Sequence, residues 1–248
     1  MIFESETADR YSEIAQQYRS DWRGELTGDL KQELIDFLCF VGDPPKKILD
    51  AGCGTGKAGT YFTDKGYFVT GLDLSPGMLK QAQINTQDNS LGNFSLVVGN
   101  MRKLPYRDES FDAVWCMAAL VHLDKEGKQE AIREFARVTS KGGYLYLSVQ
   151  NLLSAKHLQR IWQSTWSHLG YDEQNRFYQH SKTLTEVLTD DDLVSRFIKG
   201  YAFLDERHWF FPTKAELVRL VKNCGLKVIN SNSVFDQRCH ILAQKKND

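Results

Sequence analysis

The first hydrophobic pattern along the chain is helical. Apolar and aromatic positions recur every three or four residues in two stretches, first Tyr11, Ile14, Ala15 and Tyr18 and then Leu30, Leu34, Phe37 and Leu38. Proline cannot continue a helix, so the segment Asp43-Pro44-Pro45 ends this region. We therefore predict N-terminal helices within residues 1–42.

From residue 47 onward, short apolar runs alternate with helical stretches. The predicted strands cover residues 47–51, 67–73, 94–98, 111–117 and 144–149. The predicted helices cover residues 57–64, 78–84 and 127–138, and Gly142-Gly143 is expected to end the last of them. Such alternation is typical of right-handed βαβ crossovers and a mostly parallel sheet.

The last strands follow a different rule. A predicted helix over residues 214–223 precedes two strands, 227–234 and 239–244, and only residues 235–238 join them. A connection this short cannot make a parallel crossover, so the two strands must be antiparallel. The predicted fold is α/β: a Rossmann-like three-layer sandwich with a mostly parallel seven-stranded sheet that ends in an antiparallel hairpin.

Residues 152–206 interrupt the alternation. Two apolar stripes at helical spacing lie in this segment, one with Trp162 and Trp166 and the other with Leu184, Val187 and Leu188. We predict a helical insertion after the fifth strand, acting as acceptor pocket and lid, within a single domain of residues 1–248.

Composition narrows the class of protein. The 248 residues carry 31 Lys and Arg against 32 Asp and Glu, and a net charge of −1 argues against a nucleic-acid partner. The five scattered cysteines contain no C-x-x-C pair, and free thiols favour a reducing compartment. Residues 1–6 do not resemble a secretory signal, and no apolar run approaches the ~20 residues of a membrane span. We expect a cytoplasmic protein; its oligomeric state stays open.

A glycine-rich loop carries the chemistry. Asp50-Ala-Gly-Cys-Gly-Thr-Gly56 lies between the first strand and the following helix, where glycines let the backbone approach a ligand closely. Asp73 closes the next strand, and a carboxylate there can accept hydrogen bonds from the hydroxyls of a ribose. The loop and Asp73 together predict a nucleoside cofactor.

Two cofactors compete for this loop. Gly54-Thr-Gly56-Lys-Ala-Gly59 also satisfies the G-x-G-x-x-G pattern of dinucleotide sites. Asp50 precedes the loop, however, and its negative charge would repel a pyrophosphate. S-adenosylmethionine (SAM) carries a sulfonium and an ammonium but no phosphate, so the electrostatics favour SAM.

Four segments resemble the motifs of the class I SAM-dependent methyltransferases, in particular their type 11-like, small-molecule branch. These segments are Ile48-Leu-Asp-Ala-Gly-Cys-Gly-Thr-Gly56, Gly71-Leu-Asp73-Leu-Ser75, Gly99-Asn-Met-Arg-Lys-Leu-Pro-Tyr106 with Ser110-Phe-Asp-Ala-Val114, and Phe135-Ala-Arg-Val-Thr-Ser-Lys-Gly-Gly143. The resemblance covers residues 46–150 and 210–246.

The resemblance implies roles for individual residues. Asp50, Gly52, Cys53, Gly54 and Gly56 would form the loop at the methionine end of SAM, and Asp73 would hold the ribose. Leu74, Asn100 and Met101 would surround the adenine, and Ala118 would line the reaction end. The product would be S-adenosylhomocysteine (SAH).

Two further features belong to the same comparison. Asn100 departs from the family pattern, which has aspartate at this position, so the hydrogen bond to the adenine amine would lack charge assistance. Tyr11 and Tyr18 match a Y-x-x-x-A-x-x-Y pattern that closes over the cofactor in relatives, although packing between helices would explain them equally well.

The remaining candidates concern the acceptor. His122 can serve as general base if the acceptor must lose a proton, and its alternative role is to cap the following helix or to pack at its start. Trp162, Trp166 and Trp209 can wall an aromatic pocket or form the core of the insertion. No histidine spacing indicates a metal site, so we expect none.

Three functions stay open on this basis. The first is methyl transfer to a small-molecule acceptor, the second is modification of tRNA, and the third is SAM binding without catalysis. A nicotinamide-dependent oxidoreductase ranks last because Asp50 and the terminal hairpin do not suit it.

Overall fold

The computed structural model describes residues 2–21, 28–87, 92–150, 212–234 and 238–247. Two helices, α1 (Ile2–Asp21) and α2 (Gly28–Val41), precede the first strand, in agreement with the helical spacing of the sequence. The predicted insertion over residues 152–206 lies outside the described residues. Within the described ranges, no helix is long and apolar enough to cross a membrane.

Seven strands form one sheet. They are β1 (Lys47–Ala51), β2 (Phe68–Asp73), β3 (Phe94–Val98), β4 (Phe111–Met117), β5 (Thr139–Gln150), β6 (Leu226–Val234) and β7 (Arg238–Lys245), in the order β3-β2-β1-β4-β5-β7-β6. The first five strands are parallel, and β7 runs antiparallel to both β5 and β6. The prediction of a Rossmann-like, mostly parallel sheet ending in an antiparallel hairpin is confirmed.

Helices cover both faces of the sheet, and β4 shows how its residues divide between them. Successive side chains of a strand point to opposite faces. Val114 and Cys116 belong to the apolar core formed with α5 (Lys125–Val138) and α6 (Lys214–Asn223). Trp115 faces the other way and packs against Phe37 of α2 and Phe62 of α3 (Lys57–Asp64), with ring centroids 5.1 and 5.6 Å apart.

The prediction that Gly142-Gly143 ends a helix is wrong. Helix α5 ends at Val138, and β5 begins at once with Thr139, which takes an extended backbone and donates its hydroxyl to the carbonyl of Phe135. The pairing of β4 with β5 then shifts register, and a Cβ on Gly143 would lie 2.5 Å from the carbonyl oxygen of Asp112. Gly143 therefore allows a close approach of two strands inside the sheet.

Two helices are longer than the stretches predicted for them. Helix α4 covers Pro76–Gln87, and α5 starts at Lys125 because the Asp124 side chain accepts a hydrogen bond from the backbone N–H of Gly127. Asp124 is therefore the cap of α5, and the predicted alternative role of His122 as that cap is wrong. His122 instead ends a short 3₁₀ turn, Leu120–His122, just after β4.

The strand order creates a crevice at one edge of the sheet. Strand β1 lies between β2 and β4, and the connections that follow β1 and β4 lead to opposite faces. Helix α1 packs across α4 near this edge. Ser12 and Ser75 approach within 2.7 Å through their hydroxyls, and a Cβ on Gly77 would lie 2.5 Å from the Cα of Ser12.

Candidate active site

A cavity of about 680 Å³ opens at the carboxyl ends of β1, β2 and β4. Its wall contains nearly all of the predicted site residues that the structure describes: Tyr11, Tyr18, Asp50, Gly52, Cys53, Gly54, Asp73, Leu74, Asn100, Met101, Ala118 and His122. Gly56 is not part of this wall. Because a Cβ on Gly56 would meet Ala82 and the Phe94 ring at 3.1 and 3.2 Å, this glycine serves packing of the loop.

The glycine loop is held to β2 by its own backbone. The amides of Gly52 and Cys53 both donate to the carbonyl of Leu72, and that of Gly56 donates to Cys53. The amide of Gly54 donates to Oδ2 of Asp73 over 2.8 Å. These four N–H groups are therefore satisfied within the protein.

Two glycines of the loop face different surroundings. Gly52 has φ +73°, and a Cβ there would lie 2.3 Å from the Cβ of Ala119, so only glycine fits. Gly54 has φ +54°, and a Cβ there would meet nothing within 4 Å. Because Gly54 lines the cavity, the space beside it is available to a ligand.

Asp73 lies at the end of β2. Its Oδ1 accepts from the amide of Ser75 over 2.9 Å, while Oδ2 accepts from Gly54. Burial raises the pKa of this carboxyl, and the backbone hydrogen bonds oppose the rise. A carboxylate held by two amides at a strand end has its orientation fixed and can still accept hydrogen bonds from ligand hydroxyls.

Asp50 occupies the deeper end of the same wall. The side chain is 3% exposed, and Oδ2 accepts a hydrogen bond from the amide of Gly59 over 3.1 Å. Burial raises the pKa of Asp50 to about 7, and the nearby charge of Asp73 adds to the rise. A buried carboxylate of this kind is stabilised in its charged form by a cation placed next to it.

Helix α1 brings aromatic groups over the cavity. The hydroxyl of Tyr11 lies 2.9 Å from Nε2 of His122, and the two rings meet edge to face at 5.2 Å. Tyr18 packs edge-on against Tyr11, with centroids 6.0 Å apart. Both tyrosines thus line the cavity wall and also pack against each other within α1.

Asn100 follows β3 and turns both ends of its amide toward the protein. Its Oδ1 accepts from the amide of Arg102 over 2.8 Å, and its Nδ2 donates to Oε2 of Glu4 over 2.7 Å. Arg102 also contacts Glu4, with Nη1 2.5 Å from Oε1. The predicted adenine region therefore includes an acidic side chain from α1.

The end of β4 lines another part of the cavity. Ala118 has φ +56°, unusual for a residue with a side chain, and its amide donates to the carbonyl of Ser148. Met117 and Arg238 line the cavity with it, and Nη1 of Arg238 lies 3.6 Å from the Met117 sulfur. Burial raises the pKa of the Cys53 and Cys116 thiols, which favours their protonated forms.

The part of the chain that forms the core of this site is also the part that matches known proteins. Residues 49–147 match the family model described as a methyltransferase domain. This part of the chain is thus similar to the class I SAM-dependent methyltransferases. The matched residues run from β1 into β5 and contain the glycine loop, Asp73, Asn100 and His122.

Curated relatives of this chain differ in what they act on. A malonyl-[acyl-carrier protein] O-methyltransferase from Pseudescherichia vulneris is 33% identical over 145 residues, 58% of this chain and 53% of the relative. An 18S rRNA (guanine-N(7))-methyltransferase from Bos taurus is 34% identical over 100 residues, 40% of this chain and 34% of the relative. The chain thus spans about half, or less, of the length of these relatives.

A solved structure supports the fold at lower identity. The magnesium protoporphyrin IX methyltransferase of Synechocystis PCC 6803, solved with bound SAH, superposes with a TM-score of 0.61. The alignment covers 98% of this chain and 96% of that chain at 16% identity.

Several residues of the cavity wall were not predicted from the sequence. Glu4, Thr7 and Ala8 of α1 line the cavity, as do Ser75 and Arg238. A signal for the first three exists, since positions 4, 7, 8, 11, 15 and 18 follow one helical stripe. The polar members at 4 and 7 hid that stripe.

Trp162, Trp166 and Trp209 lie outside the described residues, and the part of the chain that is described contains no group of three or more potential metal ligands.

Proposed function

We propose that this chain binds SAM in the cavity and transfers its methyl group to a small-molecule acceptor. The observation that carries the proposal is the pair of carboxylates, Asp50 and Asp73, at the ends of neighbouring strands on one cavity wall. A ligand with ribose hydroxyls and a positive charge suits such a wall, whereas a pyrophosphate would be repelled by it.

The loop amides support the same choice. A dinucleotide site uses free backbone N–H groups of the glycine loop to hold the pyrophosphate. Here the amides of Gly52, Cys53 and Gly54 already donate to Leu72 and Asp73. SAM needs no phosphate cradle, so an internally bonded loop suits it.

Different wall residues would contact different parts of bound SAM. Asp73 would accept from the ribose hydroxyls, and Asp50 would lie beside the methionine ammonium. Leu74 and Met101 would contact the adenine ring, while Ala118 would lie at the transfer end. Bound SAM supplies an electrophilic methyl group on a sulfonium, which leaves as the neutral thioether of SAH.

Tyr11 and His122 would serve the acceptor. The Tyr11 hydroxyl can donate to Nε2 of His122 while its oxygen accepts a hydrogen bond from an acceptor group. A proton released by the acceptor can then pass through Tyr11 to the imidazole. For an acceptor that keeps its protons, the same pair would position it and exclude water.

The cofactor half of the proposal is tested by calorimetric titration with SAM, SAH and NAD in parallel. We expect SAM and SAH to bind, and Asp73→Ala to abolish that binding because the variant lacks the ribose acceptor. Asp64→Ala, an exposed aspartate at the end of α3, is the matched control and should bind normally. Binding of NAD in place of SAM and SAH would overturn the proposal.

The acceptor half is tested by incubating the protein with methyl-labelled SAM and a fractionated cell extract. Label in the small-molecule fraction is the expected result, since the net charge of −1 provides little attraction for a polyanion. Label that resists proteases but is released by nucleases would favour RNA modification, the activity named for the Bos taurus relative. SAM binding with no labelled product would favour a noncatalytic SAM-binding protein.

A further inference from the structure

Glu4 is a buried acid on the cavity wall that no sequence motif assigns. It lies in the first turn of α1 and is 8% exposed, although glutamate is rarely buried without partners. It shares the wall with Leu74, Asn100 and Met101, the residues expected to surround the adenine. The question is what a carboxylate does there.

The neighbouring Asn100 has only one amide orientation that satisfies both of its contacts. Its oxygen must face the amide N–H of Arg102, and its NH₂ must face the Glu4 carboxylate. In the reverse orientation, the NH₂ group of Asn100 would face the N–H donor of Arg102, and its oxygen would face the Glu4 carboxylate. Neither hydrogen bond could then form. Asn100 therefore donates from its NH₂ group to Glu4, while its oxygen accepts from the backbone N–H of Arg102.

The Glu4 carboxylate is anchored from a second side. Arg102 contacts it through Nη1 and holds Glu130 through Nε, 2.6 Å from Oε2 of Glu130. An aspartate at position 100 would place a second carboxylate within hydrogen-bonding distance of Glu4, where like charges repel. The asparagine at position 100 and the acid at position 4 are thus mutually compatible parts of one arrangement.

We propose that Glu4 is the anionic acceptor for the 6-amino group of the adenine, and that it determines specificity for adenine over 6-oxo purines. This inference rests on the proposed function, because it concerns the same cofactor. A carboxylate can accept up to four hydrogen bonds, and Glu4 lines the cavity, so its contacts with Asn100 and Arg102 do not prevent it from meeting a ligand donor. A 6-oxo purine would present a carbonyl to the carboxylate and be repelled.

The test compares the binding of SAH with that of S-inosylhomocysteine, in which a 6-oxo group replaces the 6-amino group. The wild-type protein should prefer SAH strongly, and Glu4→Gln should lower that preference by about 10- to 100-fold. A purely structural Glu4 would weaken both ligands equally. Glu13→Gln is the control on the same helix, since Glu13 is 65% exposed and pairs with Arg10.

A second variant keeps the test decisive. The double variant Glu4→Gln with Asn100→Asp should regain the preference for SAH by placing a carboxylate at position 100. An unchanged preference in Glu4→Gln would overturn the role of Glu4 while SAH binding preserves the proposed function. Failure of the wild-type protein to bind SAH would overturn both.

Discussion

The hydroxyl of Tyr11 and Nε2 of His122 lie 2.9 Å apart, although 111 residues separate them in the chain. One belongs to the N-terminal helix, and the other ends the 3₁₀ turn after the central strand β4. The contact joins an element outside the sheet to the edge of the sheet where the cavity opens.

This pair should matter for transfer more than for cofactor binding. His122→Gln keeps a polar side chain but removes the imidazole, and we expect kcat to fall by about 100-fold or more if the acceptor must lose a proton. Tyr11→Phe keeps the ring against Tyr18 and should lower kcat in the same direction. Single-turnover transfer to the acceptor found by labelling, with SAM affinity measured separately, checks this. An equal loss of SAM affinity would instead assign the pair to the cofactor.

Replacing Gly52 and replacing Gly54 by alanine should affect different properties of the protein. Gly52→Ala places a Cβ against Ala119 in a left-handed backbone, and we expect a loss of about 2–4 kcal/mol in the free energy of unfolding. Gly54→Ala has open space for its Cβ, so only about 1 kcal/mol should be lost. The methyl group that Gly54→Ala adds should nevertheless weaken SAM binding. Urea unfolding and calorimetry on both variants check the contrast, and equal stability losses would contradict it.

The buried Asp50 should make stability depend on pH. Burial raises its pKa from 3.8 to about 7, so the folded protein keeps a proton that the unfolded chain has already lost. The stability of the protein without cofactor should therefore fall as the pH rises through this window, by up to about 4 kcal/mol. Asp50→Asn should reduce the fall, and urea unfolding at about pH 5 and pH 7.5 measures the difference. Equal pH dependence in both proteins would show that Asp50 does not titrate in this range.

The contact between α1 and α4 should control cofactor affinity from a distance. Gly77→Ala places a Cβ 2.5 Å from the Cα of Ser12 and should displace α1, which carries Glu4 and Tyr11. We expect SAM affinity to fall about tenfold, equivalent to about 1.4 kcal/mol, and amide hydrogen exchange in α1 to increase. Gly92→Ala, where a Cβ meets nothing within 4 Å, is the control and should change neither quantity.

Much of the sheet could be predicted from local pattern. Strands β1, β3 and β4 and helix α3 have the predicted bounds, because each is a short apolar run or stripe between clear breaks in the sequence. The error at Gly142-Gly143 arose because a glycine pair commonly ends a helix. In the fold, a glycine is needed at position 143 because the carbonyl oxygen of Asp112 on the neighbouring strand leaves no room for a Cβ. Local sequence pattern does not reveal this contact.

The sequence by itself determined the alternation of strands and helices, the antiparallel hairpin, and the placing of the glycine loop and Asp73 at the ends of two successive strands. These follow from periodicity and connection length, which are local properties. Only the tertiary structure decided that α1 docks on α4, bringing Glu4 to Asn100 and Tyr11 to His122. Such contacts depend on how two surfaces fit, and a close approach such as Gly77 against Ser12 is set by three-dimensional packing rather than by spacing along the chain.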